Sequence, residues 1–252
     1  MPVTIARYTL VEAVRSRTIL LLVCTLAAAL VLAFFLRVVA ITEVQQVQAA
    51  IIAALERLCA VFLLAVLVVS GVRREYDDHV VELIIAHALP RSSYVIGKAL
   101  GYGALALCFA AVFGLPLLLF APIPRVGAWT ASFAGELLMV STAALFCALS
   151  LRSVVAALSV IAGFYALGRS VDAILVIASA SPDSHDWRDV GARWITEGIG
   201  LVVPHIDRMT QSGWLVAPVL DAHAALLALA QAALYAGLLL AASLFDFQRQ
   251  SF

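Results

Sequence analysis

Long apolar runs separated by short charged stretches set the pattern of this 252-residue chain. A membrane helix needs roughly 20 mostly apolar residues. Six runs qualify: Thr18–Leu36, Ile51–Val72, Ala99–Ala121 (in an uncharged stretch reaching Pro124), Ala128–Leu151, Ser153–Ala180 and Ala222–Leu244. They are continuous rather than alternating, and only helices or closed barrels satisfy their backbone in lipid, so they predict helices. The expected fold is all-α, a single polytopic domain over residues 1–252 with six transmembrane helices. Arg7, Arg15 and Arg17 precede the first run as in a signal peptide. That run is too long for an h-region and no cleavage site precedes Arg37, so it reads as a retained helix.

The charged segments have patterns of their own. From Glu75 to Ala88, Val80, Val81, Ile84, Ile85 and Ala88 share one arc of a helical wheel, and Glu75, Asp78, His79 and Glu82 share the other. Pro90 ends this expected amphipathic helix, because a residue before proline is pushed out of the helical region. Ser92 or Ser93 then caps the third span. Helices that lie on anionic lipid carry Lys and Arg on the polar face, whereas this face is acidic. A basic groove on a partner protein suits it better than lipid alone. Ser181–Asp221 is the largest non-spanning piece. It sets Trp187, Val190, Gly191, Trp194, Gly198 and Leu201 at helical spacing, as in an interfacial helix. A lid, a docking site for a periplasmic partner, and a segment re-entering the bilayer at Gly198, Gly200 and Pro204 are its other readings.

Composition supports lipid as the solvent. The chain is 64% hydrophobic with mean hydropathy +1.05, against about 45–50% apolar for soluble domains. Its formal net charge is zero, which gives no footprint for nucleic acid. Cys24, Cys59, Cys108 and Cys147 lie in apolar runs and form no CxxC pair. With the N-terminus in the cytoplasm, short segments near span ends place nine Lys and Arg residues inside and two outside. Both termini are therefore expected in the cytoplasm.

Five charges fall inside spans: Glu56 and Arg57 in the second, Glu136 in the fourth, Arg169 and Asp172 in the fifth. All lie in the outer half. A charge at mid-bilayer costs at least about 2.5–3.5 kcal/mol, so these groups should pair or meet water. Arg169 and Asp172, spaced i,i+3, can pair on one face, whereas Glu56 needs a partner from another span. Ion pairs near the interface and an outer gate or polar cargo vestibule are both open readings. "GKALG", Gly97–Gly101, is a GxxxG that suits close helix packing within the chain more than a dimer seam.

These residues resemble a known family. An N-terminal helix containing "EAVRSR", the segment "REYDDHVVELIIAHALPRSSYVIGKALG", "VVPHIDRM" and the terminal "LFDFQRQSF" look like ABC-2 type transporter permeases, in the copper-enzyme-maturation and export-like branch. The match runs through Glu82, Leu83, Pro90, Arg91, Ser92, Tyr94, Gly97 and Lys98. Asp78 and His79 stand where the family usually has Gly-Thr. The resemblance implies a multi-pass permease of the bacterial inner membrane, probed from inside by ATP-binding-cassette ATPase subunits. It implies a cytoplasmic amphipathic N-terminal helix and a coupling helix over Glu75–Ala88, with Glu75, Asp78, His79, Glu82, Leu83 and Arg91 at the ATPase contact. A second permease, identical or not, completes the assembly, and export is the expected direction.

The chain has no GxxxxGK[ST], so ATP and Mg are expected in the partner ATPase, with no cofactor here. It has no HExxH, no GxSxG and no metal spacing among its histidines. "PHID", His205 and Asp207, reads as a turn. An ion-gradient-driven secondary transporter, a non-transporting assembly factor and an intramembrane enzyme are the rival readings. ATPase dependence separates the permease from all three.

Overall fold

The computed structural model describes residues 2–16, 18–39, 44–79, 90–179, 198, 204–216 and 222–249. Seven long helices carry almost all of them: α1 Pro2–Arg15, α2 Thr18–Val39, α3 Val44–Asp77, α4 Arg91–Gly114, α5 Ile123–Ser150, α6 Val154–Ser179 and α7 Ala222–Arg249. No strand occurs among the described residues. Five helices are long and apolar enough to cross a membrane, or six if α1 and α2, which meet at a 58° bend, form one broken span. This is the architecture of a multi-pass membrane protein.

The helix ends depart from the apolar runs for local reasons. α3 extends beyond Ile51–Val72 on both sides, through the glutamines at its start and through Arg73–Asp77 at its end. Polar residues outside lipid do not interrupt backbone hydrogen bonding. α4 starts at Arg91, directly after Pro90, which sits in an extended conformation at its N-cap. The third run is not one helix. α4 stops at Gly114, and Pro116–Leu119 form a 3-10 turn. Pro116 has no N–H to donate and its ring crowds the carbonyl four residues back. α5 then begins at Ile123, with prolines in and before its first turn, where the missing N–H costs nothing.

α5 is the central mast. Of its most apolar window 78% is buried, against 11% for α7. Trp129, Phe133, Leu137, Val140, Ala144 and Leu145 are all shielded. α3, α4, α6 and α7 pack around it, and α2 packs on α3. The described ends Pro2 and Arg249 lie at the same end of the bundle. There Pro2 and Ile5 touch Gly97, and Tyr94 stacks on Phe247 at 5.6 Å. Asp246 accepts a hydrogen bond from Ser150 at 2.7 Å, tying the end of α7 to the end of α5. This is called the terminal end below, and the opposite one the far end.

Candidate functional site: two polar clusters at opposite ends

The first cluster lies at the terminal end. Glu75 is in the last turn of α3, with 8% exposure. Its Oε2 accepts from the Tyr94 hydroxyl at 2.7 Å, and its Oε1 pairs with the Lys98 ammonium. Lys98 is only 1% exposed and also sits over the Tyr102 ring, 5.6 Å from its centroid. Tyr94 and Lys98 are one turn apart on α4, so one helix face supplies both donors to one carboxylate.

The same turns of α4 seat α1. A Cβ on Gly97 would stand 2.8 Å from Ile5 Cβ and 2.9 Å from the Pro2 carbonyl oxygen. One on Gly101 would stand 2.8 Å from Thr9 Cβ. Only glycine permits that approach, so the GxxxG packs within the chain. Glu12 of α1 is half-buried near this cluster. Burial pushes its carboxyl up from the ordinary value, while the Lys98 ammonium opposes the shift and the Glu75 carboxylate adds to it.

This arrangement corrects the expected helix over Glu75–Ala88. α3 ends at Asp77, and His79 takes a left-handed backbone with φ 56°. The helical phase assumed from Glu75 onward is therefore broken. Glu75 faces Lys98 inside the protein, not a partner outside. Asp78 and His79 are exposed, and Asp78 pairs with Arg74 at 3.8 Å. Arg91 opens α4. Glu82, Leu83 and the rest of residues 80–89 lie outside the described residues.

The second cluster lies at the far end and gathers three of the five charges found within the runs. Its centre is Pro204–Thr210, a non-helical segment with one 3-10 turn at Ile206–Arg208. "PHID" is thus part of a turn, as its sequence suggests. Arg57 on α3 donates to the Thr210 carbonyl at 2.7 Å. Arg169 on α6 donates to the carbonyls of Ile206 at 2.8 Å and Met209 at 3.0 Å. Ser132 on α5 accepts from the Thr210 N–H at 3.1 Å. Glu136, one turn further along α5 and 0% exposed, accepts from the Tyr165 hydroxyl at 2.7 Å and from the Thr210 hydroxyl. Gly168 lets the segment approach α6, since a Cβ there would stand 2.9 Å from the Pro204 carbonyl oxygen. Thr210 itself has φ 49°, a conformation that a β-branched residue rarely adopts.

Of the other two charges, only Glu56 has a described side chain. The Arg169 guanidinium donates to backbone carbonyls; the side chain of Asp172, the neighbour offered to it by spacing, lies outside the described residues. Glu56 is 1% exposed, and neither carboxylate oxygen has a hydrogen-bond partner among the described residues. The cross-span partner expected for it is not among them. Sequence reasoning also missed Tyr94, Lys98, Ser132, Tyr165 and Thr210 as partners. A signal existed, because Tyr94 and Lys98, Ser132 and Glu136, and Tyr165 and Arg169 are each polar i,i+4 pairs in apolar helices. The helices thus hold a buried side-chain ion pair at the terminal end and a strapped loop at the far end, and a search of protein-family models and of curated protein sequences found no match to the chain.

Proposed function

We propose that this chain is the membrane-embedded permease subunit of an ATP-binding-cassette transporter of the ABC-2 type. In this reading it exports cargo across the bacterial inner membrane, with both termini and the terminal end in the cytoplasm. A second permease copy or homologue and two ATPase subunits complete the machine, and the ATPases carry ATP and Mg. The carrying observation is the convergence of motif residues. Tyr94, Gly97 and Lys98 belong to the segment that resembles the family, and they bring the end of α3 and the start of α1 onto one face of α4. A junction of that kind, beside residues 80–89, is suited to receive a push from a motor. The motor must bind one state of the permease more tightly than the other, or it shifts nothing.

The test is co-purification of the tagged chain from its native membrane, with and without Glu82→Arg. An ATPase chain recovered with the wild type and reduced with the variant supports the reading. Absence of any ATPase after mild crosslinking overturns it.

A second reading rests on Glu56 and Glu136, two carboxyls buried inside apolar helices. Buried intramembrane carboxyls are the usual proton carriers of gradient-driven transporters. Uptake that persists in ATP-depleted vesicles with an imposed pH gradient would favour that reading over the permease.

A further inference from the structure

A cleft of about 900 Å³ opens at the terminal end between α1, the last turns of α3 and the first turns of α4. It is within the size range of small-ligand sites, about 300–1,000 Å³. Among the described residues, three cations and three anions line it: Arg15, Arg74 and Lys98, and Glu12, Glu75 and Asp78. Two of each are already paired, as Lys98–Glu75 and Arg74–Asp78. Glu12 and Arg15 remain, and neither makes an ion pair or side-chain hydrogen bond among the described residues. They are spaced i,i+3 on α1 and so project from the same side of the helix.

The surroundings say what kind of molecule brings the missing charges. Val11 of α1, 47% exposed, lines the cleft. Leu67, from the spanning helix α3, forms part of the wall. Ser70 and Gly71, at the end of the apolar run of α3, and Arg74 just beyond it also line the cleft, so it opens where a spanning helix leaves the acyl region. The cleft is therefore at headgroup level, with an apolar wall leading toward the acyl region.

We propose that this cleft binds an aminophospholipid, a zwitterionic lipid whose primary ammonium pairs with Glu12 and whose phosphate pairs with Arg15. Among the described residues, the two charges of the cleft without an ion-pair partner are one of each sign, and so are those of the headgroup. An anionic lipid would satisfy Arg15 but meet Glu12 with like charge. A quaternary ammonium lipid has the right charges but no N–H to donate to the carboxylate. The inference rests on the membrane-embedded fold and holds whether or not an ATPase partner exists.

The experiment is native mass spectrometry of the full chain released from detergent containing equal amounts of phosphatidylethanolamine, phosphatidylcholine and phosphatidylglycerol with identical acyl chains. The ethanolamine adduct should exceed the glycerol adduct by about fivefold, the ratio expected of one partly shielded ion pair. Phosphatidylcholine should fall between them. Glu12→Gln and Arg15→Gln should each bring the ratio toward one, and Arg125→Gln, at the far end, should leave it unchanged. The wild-type lipid series is decisive by itself, so no variant has to fold. Equal retention of all three lipids, or preference for phosphatidylglycerol, overturns the proposal. So does a ratio unchanged in folded Glu12→Gln and Arg15→Gln. Soluble phosphoethanolamine forming the adduct as well as the lipid at equal concentration would overturn the choice of a lipid.

Discussion

The two polar clusters solve different problems with similar residues. Arg57 and Glu75 are 18 residues apart on α3, about 27 Å at 1.5 Å per residue. At the Glu75 end, side chain meets side chain. Lys98 and Tyr94 of one helix hold a carboxylate of another. At the Arg57 end, side chains meet backbone. Arg57, Arg169 and Ser132 satisfy the peptide groups of Ile206, Met209 and Thr210. Non-helical backbone at membrane depth is tolerated only where protein or water satisfies its polar groups. The first cluster therefore joins helices. The second makes a break in helical structure tolerable inside a bundle.

The largest way to break this contrast is at Lys98. Lys98→Met should destabilise the protein by about 3–5 kcal/mol, because it leaves the Glu75 carboxylate buried and unpaired. Thermal unfolding in detergent checks this, and Lys98→Met with Glu75→Gln should recover most of the loss. A recovery no better than additive would mean that the two residues act separately.

An intermediate effect is expected at the far end. Arg169→Gln removes the donor to two buried carbonyls and should cost about 1–3 kcal/mol per carbonyl left without a partner. The loss should be local. A cysteine at Met209, buried in the wild type, should react faster with a small thiol reagent in the Arg169→Gln background, while α1 stays protected from protease. Equal labelling in both backgrounds would mean that Arg169 does not hold the segment. The smallest effect sharpens the contrast from outside both clusters. Arg74→Ala removes an exposed pair with Asp78 and should change stability by at most about 1 kcal/mol. A larger loss in the same unfolding assay would show that the terminal end depends on its surface charges.

The spans were legible because lipid imposes a single demand on every residue that faces it. An uninterrupted apolar run has few meanings at 20 residues. Helix ends were less legible. Backbone hydrogen bonding continues through Arg73–Asp77 in the absence of apolar residues, and no hydropathy pattern marks that continuation. The wheel over Glu75–Ala88 does not hold at its start, Glu75–His79, for a related reason. It assumed one helical phase, and a left-handed residue at His79 resets it. At the far end, spacing sees only neighbours on the same helix, so it could not offer Arg169 its loop acceptors. The acceptors used are carbonyls of Ile206 and Met209, and a peptide oxygen has no side-chain identity to read. The i,i+4 pairs Tyr94/Lys98, Ser132/Glu136 and Tyr165/Arg169 were visible and mark the helix faces that carry both clusters. GKALG was read correctly, since close approach needs small residues and Gly97 and Gly101 provide it.

The burial of α5 has a consequence for how the protein is made. With α6 it has the lowest hydropathy of the spanning helices, 1.7, against 2.5 for α3. It carries Ser132, Glu136, Ser141 and Thr142 on faces that neighbours cover in the finished bundle. During synthesis α5 leaves the ribosome before α6, Pro204–Thr210 and α7 exist. For that interval Glu136 has neither Tyr165 nor Thr210, and the face that α7 will cover meets lipid or the insertion machinery. The mast of the finished bundle is thus its most dependent passenger during assembly. A chain stalled before Val154 should hold α5 poorly in the bilayer, and it is at that stage that membrane quality control would recognise an unfinished molecule.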